Sequence, residues 1–364
     1  MKGNRVFISA INIKAPGISG LTDFFAALSE NKSIAFHQEM HEGEEIFLSE
    51  KMDLSSSPHY PSRSNEKVMR SEVVAATVCA KELIENEKIS PDLLADIPLY
   101  ISTGVFLEKQ EGDLDWMTKA FTILVESKTQ EEKNKKLNQL LPPLLALRTL
   151  TNSAESFVAQ STGLAGNNTT FGNTSQSAYA AIKEACRAIQ TGETEMAVVG
   201  GTNRGGVSSF FLHKTFSSEQ VSVWKECTAV SFFLLESKNN LKERNKKALC
   251  EIVGLESSTH VPEIFGTNRK KIGDVFSPNE KKPDLCVIGG AFREQEYLQD
   301  KYEAEKKWTT VFSLFPLFGN LGSAGLFLNI AAALFHFNER NNTEADCIDK
   351  DVYNRFSKIT LRKL

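Results

Sequence analysis

The side chains best suited to chemistry here are six cysteines (Cys79, Cys186, Cys227, Cys250, Cys286, Cys347) and six histidines (His37, His41, His59, His213, His260, His336). The cysteines are spread singly, with no CxxC and no CxxH, so neither a zinc knuckle nor a dense disulfide framework is expected. That pattern predicts a reducing compartment, no metal and no cofactor. Ser175 is the other candidate. It follows Gly172-Asn173-Thr174, a turn signal, and precedes a helical pattern, a place that suits either a helix cap or a nucleophile. Capping is the more ordinary role. His213, after Phe210-Phe211-Leu212, reads as a packed or hydrogen-bonded histidine. Asn167-Asn168-Thr169 matches a glycosylation acceptor but falls on an expected core strand, so the match is coincidental.

These candidates sit in a chain of 364 residues that is 41% hydrophobic and 24% charged, ample for a globular core. A formal charge of −4 speaks against nucleic acid as a partner. Met1-Lys2-Gly3-Asn4-Arg5 leads into a strand-like run with no apolar signal core, which predicts a cytoplasmic protein. Trp308 to Asn338 lacks any Asp, Glu, Lys or Arg, yet Pro316, Gly319, Asn320, Gly322 and Gly325 interrupt it. It reads as a buried strand, a glycine turn and a buried helix, not as a membrane span.

Local patterns supply the elements. Val6 to Ile13 is an apolar, β-branched opening strand, a helix follows over Leu21–Leu28, and residues 39 to 66 read as a long polar loop. Met69–Ile84 repeats apolar residues at helical spacing, Ile97–Gly104 is a strand, and Leu114–Leu141 is a charge-laced helical excursion. Next come a strand over Asn168–Phe171 and a helix carrying Ala178, Ala181, Ile182, Ala185 and Ile189 on one face, which Gly192 ends. Met196–Gly201 is a buried parallel strand. Lys238–Lys247 reads as a solvated connector, after which Ala248–Gly254 starts a strand as Val6 did. Thr310–Leu314 and the helix Ala324–Phe337 echo the strand-turn-helix around Ser175, so an internal duplication is expected, with halves at 1–240 and 248–364.

Four landmarks in order resemble the thiolase fold and, within it, the β-ketoacyl-acyl-carrier-protein synthases. Gly163-Leu164-Ala165-Gly166-Asn167-Asn168 is similar to the family's "GLxGP" segment. Thr174-Ser175-Gln176-Ser177, its Ala-rich helix and Gly192–Asn203 resemble the nucleophile helix and the "GxxDxxxAGG" strand. Pro283–Gly290 stands where the family has "D-x-hydrophobic-x-x-A-H-G-T", and Phe318–Gly325 where it has "GHxxGAAG". The resemblance implies an α/β protein of five layers, α-β-α-β-α, built from two duplicated halves.

It also implies a site of one Cys at a helix N-terminus and two His, where the Cys takes the acyl chain and the His assist decarboxylation and stabilise the oxyanion. In this chain the nucleophile position falls on Ser175, with Gln176 one residue further along. The first His position falls on Gly289 and the second on Gly319 or Asn320. The "GFGGxN" loop of the family has no counterpart in the sequence. A Ser without an adjacent base is a poor nucleophile, so no residue is assigned a catalytic role. This pattern resembles the chain length factor, the inactive partner of a type II polyketide synthase ketosynthase. The resemblance then implies a catalytically silent subunit that heterodimerises with an active ketosynthase, meets acyl carrier protein mainly through that partner, and touches neither nucleic acid nor membrane. Phe106, Trp116, Met117 and Phe121 fall where such subunits close the polyketide tunnel, with dimer packing an equal reading. Asn168 and Thr170 fall on the strand expected to pair across the dimer axis. Two alternatives stand beside this: a divergent acyltransferase using Ser175 with His213 or His260 as base, and a non-catalytic acyl-binding regulator.

Overall fold

The computed structural model describes residues 4–41, 44–104, 113–140, 150, 152–172, 174–204, 223–259, 271–276, 283–290 and 294–364. Its strands are β1 (Val6–Ala15), β2 (Ile18–Ser19), β3 (Phe36–His41), β4 (Glu44–Ser49), β5 (Leu99–Thr103), β6 (Thr169–Phe171) and β7 (Met196–Asn203). There follow β8 (Trp224–Glu226), β9 (Ala229–Ser237), β10 (Cys250–Thr259), β11 (Leu285–Gly290), β12 (Thr310–Ser313), β13 (Glu344–Lys350) and β14 (Arg355–Lys363).

The sheet order reads β12-β11-β13-β14-β10-β1-β9-β7-β5-β6. Cut between β10 and β1, it falls into two sets with the same plan. In each, the first strand neighbours the last, which neighbours the fourth, then the second, then the third. The senses repeat as well. β5 runs parallel to β6 and β7, as β11 does to β12 and β13, whereas β7–β9 and β13–β14 are antiparallel. The two duplicated halves expected from the sequence are present, joined edge to edge where Val6, Phe7 and Ile8 pair with Ile252, Glu251 and Cys250.

Alternation along the strands builds the layers. In β7, Ala197 and Val199 point into a central core while Met196 and Val198 point outward; in β11, Leu285 and Val287 point inward and Cys286 and Ile288 outward. The helices Gln176–Thr191 and Gly325–Glu339 fill the central layer. The second is apolar on every side, as a helix enclosed between two sheets must be. The helices Ser71–Asn86 and Ser153–Thr162 cover one outer face, and Glu294–Glu305 the other. This is the α-β-α-β-α arrangement. Gly192, with φ 78°, ends the Gln176 helix in the left-handed conformation that glycine permits.

Two stretches differ from the reading of the sequence. Within the segment read as a loop, β3 and β4 form a hairpin, because Ile46 and Leu48 alternate toward the interior and β4 gains a parallel partner in the remote β8. Within the segment read as a solvated connector, whose charged residues are mostly exposed as expected, Lys238–Glu243 forms a short helix. Ser237 Oγ accepts the Asn240 N–H, Leu241 is buried, and Arg244 pairs with Glu87 and with the buried Glu236. Such a device is hard to see in a charge run because its partners lie far away in the chain.

The halves touch most closely where β7 meets the turn Gly322–Ala324. A Cβ on Gly201 would overlap the Ser323 carbonyl oxygen and approach the Phe327 ring to 2.7 Å. Ser102 Oγ donates to that carbonyl, and Ser323 Oγ donates to Thr202 O at 2.6 Å. Gly201→Ala is therefore expected to lower stability by about 2–3 kcal/mol. Urea unfolding at constant m checks this, and an unchanged midpoint would mean that the halves are free to move apart.

Candidate functional site

The position assigned to the nucleophile lies in a tight elbow between β6 and the Gln176 helix. Ser175 is buried and adopts helical backbone angles (φ −58°, ψ −25°), and its side chain caps nothing. The capping role expected for Ser175 is thus corrected: with the residue already in the helical region, Oγ is turned away from the helix amides. Its acceptor is Lys350 O at 3.5 Å, a long and weak bond. The neighbours are held tightly. Ser177 Oγ lies 2.6 Å from Ser102 Oγ, and Arg355 donates to Thr174 Oγ1 at 2.8 Å. Gln176 Nε2 donates to Asp349 O, Arg355 O and Ser357 Oγ at 3.3–3.4 Å. The β13–β14 hairpin of the second half therefore clamps the elbow of the first.

Gly289, the first histidine position, ends beside this clamp, because it pairs in register with Asp349 of β13. The space for a side chain at 289 is already filled. A Cβ there would overlap the side-chain amide of Asn329, a fully buried residue of the Gly325 helix. The second position falls elsewhere. Gly319 has φ 65°, and a Cβ on it would come within 2.7 Å of Lys225 Cβ. Asn320 is buried and its backbone is tied to β8, donating to Lys225 O at 2.8 Å and accepting from Cys227 N at 2.9 Å. Ser175 and Gly289 are thus gathered around one strand end, and Gly319 and Asn320 are seated on β8.

Two residues that the reading of the sequence passed over dominate the centre. Asp349 follows the parity of Ala345 and Cys347 and faces the central layer, fully buried. Among the described residues neither carboxyl oxygen has a hydrogen-bond partner of good geometry. The Ser175 hydroxyl stands against it, and a Cβ on Gly325 would come within 3.3 Å of its Oδ1. It therefore lies where both central helices begin, a setting that favours negative charge. Burial outweighs this and raises its pKa to about 7, with Asp351 adding to the rise and Ser175 opposing it. Asn329 is the second, with neither amide atom partnered among the described residues. The available signals were one Asn inside an otherwise apolar helix and an Asp in phase with the inward residues of its strand.

The remaining candidates are dispersed. Asn168 is structural: it accepts the Leu99 N–H at 2.9 Å and donates to Leu164 O at 3.1 Å. Thr170 lies on β6, the last strand of its sheet. Phe121 is 69% exposed on the helix Asp113–Glu126, beside the exposed Leu124 and Val125. Trp116 and Met117 belong to the same helix but their side chains lie outside the described residues, as do Phe106, His213 and His260 entirely. His336 is enclosed by Phe312 and Phe335, and burial lowers its pKa to about 4, so it stays neutral. The cysteines are free and buried; desolvation pushes Cys186 up to about 12, away from thiolate chemistry. Among the described residues no three His, Cys, Asp or Glu gather as a metal site, and no helix is long and apolar enough to cross a membrane.

The buried Asp349 carboxyl makes stability depend on pH. Its folded pKa of about 7 lies above the unfolded value of about 3.9, so the folded state binds more protons between these values. The contribution of Asp349 is fully present below about pH 4 and is lost as pH rises through about 7, by at most about 4 kcal/mol. Asp349→Asn should flatten this fall. Unfolding midpoints at pH 5 and 7.5 for both proteins check it, and parallel pH profiles would contradict it.

The sequence model of the β-ketoacyl synthase N-terminal domain matches residues 4–211. No curated protein matches the sequence. Among solved structures, a β-ketoacyl synthase from Burkholderia phymatum STM815 superposes with a TM-score of 0.73 at 12% identity, covering 99% of this chain and 100% of that one. A chain of AntDE:AntF, a type II polyketide synthase acyl-carrier protein in complex with its ketosynthase bound to the hexaketide, gives 0.72 at 15% identity with coverage of 99% and 100%. The ishigamide ketosynthase/chain length factor gives 0.69 at 12% identity and full coverage of both chains. The family model spans more than half of the sequence, and the duplicated five-layered architecture agrees with it: the chain belongs to the β-ketoacyl synthase family.

Proposed function

We propose that this chain is the chain-length-factor subunit of a type II polyketide synthase, a ketosynthase fold that does not condense and that works as the partner of an active ketosynthase. One observation carries the reading. The family fold is present, and in the register proposed from the sequence Ser175, Gly289 and Gly319 or Asn320 take the places of the family's cysteine and two histidines, while Asn329 fills the space a side chain at 289 would need. Decarboxylation of malonyl-carrier protein and stabilisation of the resulting enolate need those histidines. The partner subunit would supply them, together with the main contact to acyl carrier protein.

The surface proposed for the partner is the outer edge of β6, which pairs only with β5 among the described residues and carries the buried Thr170 hydroxyl. A strand edge with an orphaned polar group is suited to pairing with another chain. Phe121, Leu124 and Val125 add an exposed apolar face on a nearby segment of sequence. In the proposed complex this helix closes the tunnel that holds the growing poly-β-ketone, and its side-chain bulk sets the number of condensations.

Two outcomes are expected. Purified alone, the chain should form no carbon–carbon bond and decarboxylate no malonyl-carrier protein, whereas co-expression with its ketosynthase should give a 1:1 active complex. A stable, condensing homodimer would overturn the assignment. In that complex Phe121→Ala or Trp116→Ala should lengthen the product, read by mass spectrometry; unchanged length with intact assembly would remove this helix from the tunnel.

A further inference from the structure

We propose that Ser175 and Asp349 form a nucleophile–base pair that accepts an acyl group from a thioester and hydrolyses it. The inference does not rest on the chain-length-factor reading, because acyl transfer to a hydroxyl needs neither of the missing histidines. It starts from two buried polar residues. Asp349 and Asn329 are fully buried, and among the described residues none of their four side-chain polar atoms makes a hydrogen bond of good geometry. Burying such groups unpaired is unfavourable, and more so for a charge, so native proteins rarely keep them without a role.

The geometry points to acyl chemistry. Ser175 is at the head of a sixteen-residue helix, released from capping, with its hydroxyl beside the Asp349 carboxyl and held only by the long bond to Lys350 O. A hydroxyl rotor of this kind turns toward the better acceptor at little cost. Asn329 lies one helical turn beyond Gly325, the residue nearest Asp349 Oδ1, and therefore on the same face of that helix. Its amide and the positive end of the Gln176 helix supply donors for a developing oxyanion. The elbow is rigid, since Gln176, Ser177 and Thr174 are all tied down.

The step is balanced with what the site holds. Ser175 Oγ attacks the thioester carbonyl carbon while its proton passes to the Asp349 carboxylate. The C–S bond breaks, the proton moves from Asp349 to the departing sulfur, and an acyl ester and a free thiol result. Water then attacks the ester, again giving its proton to Asp349, and the acid leaves as Ser175 regains its proton. A thioester suits this pair better than an amide. A thiol leaves with a pKa near 8.5, so a carboxyl group tuned close to neutrality suffices to reprotonate it.

The groups around Asp349 leave its titration legible. From the elbow it meets the Ser175 hydroxyl, from the central helix Gly325, from β11 Gly289 and from β14 Ser357, none of which titrates near neutrality. Lys350 points to the outer face and pairs with Asp300 at 2.9 Å, and Asp351 pairs with Arg355. Asp351 is the nearby charge that acts on Asp349.

The test incubates the full chain with the acetyl thioester of N-acetylcysteamine and follows thiol release and intact mass from pH 6 to 9. The expected result is an acetyl ester mapped to Ser175 and a rate that rises through an inflection near pH 7. Ser175→Ala should abolish both signals. Asp349→Asn should slow thiol release by about 10²-fold or more and erase the inflection. Its unfolding midpoint reports whether the variant is folded, and Asp349→Glu, which keeps a carboxyl, should recover part of the rate. Ser175→Cys, whose thiol needs no general base, shows whether the probe reaches the elbow. An unmodified wild-type protein while Ser175→Cys is acylated would overturn the proposal, as would wild-type rates in folded Asp349→Asn or acylation elsewhere. An elbow closed to the probe even in Ser175→Cys would overturn it too. Complex formation and product length, the readouts of the chain-length reading, are unaffected by any of these outcomes.

Discussion

The structure depends on glycine backbone in each half letting the other half approach closely. Gly201 of β7 lies directly against the Ser323 carbonyl, and Gly322 is pressed against the Asn203 side chain. These contacts bring the start of the Gly325 helix next to the start of the Gln176 helix, with β13 closing the space between them. Two helix N-termini buried together require something polar in front of them, and Asp349 is placed there. The site is thus a consequence of how duplicated halves pack.

That packing also bears on the two positions proposed for histidines. Gly289 cannot take a side chain while Asn329 occupies the volume beside it, and Gly319 combines a left-handed backbone with close contact to Lys225. The β13–β14 hairpin clamps Thr174 and Gln176, which fixes the shape of the elbow around Ser175. A stable fold and a formed strand edge are what the proposed partner subunit would need to present.

Much of the architecture was legible because it is written in local periodicity. The apolar run Met196–Gly201, the face Ala178-Ala181-Ile182-Ala185 with Gly192 at its end, and the restart at Ala248–Gly254 mark strands, helix and duplication directly. What escaped was whatever depends on remote partners. β4 becomes a strand through β8, nearly two hundred residues away, and Arg244 is ordered by Glu87 and Glu236. The candidate site follows the same rule. Ser175 could be found from its turn and helix, but Asp349 gains its meaning only when β13 is laid against that elbow, and Asn329 only when Gly289 is beside it.

The most direct measurement of the central claim removes one nucleophile at a time from the purified complex of this chain with its ketosynthase and follows carbon–carbon bond formation on acyl carrier protein. The account predicts that replacing the partner's nucleophilic cysteine by alanine abolishes condensation, whereas Ser175→Ala leaves its rate unchanged. Condensation that survives loss of the partner's cysteine and disappears with Ser175 would contradict it.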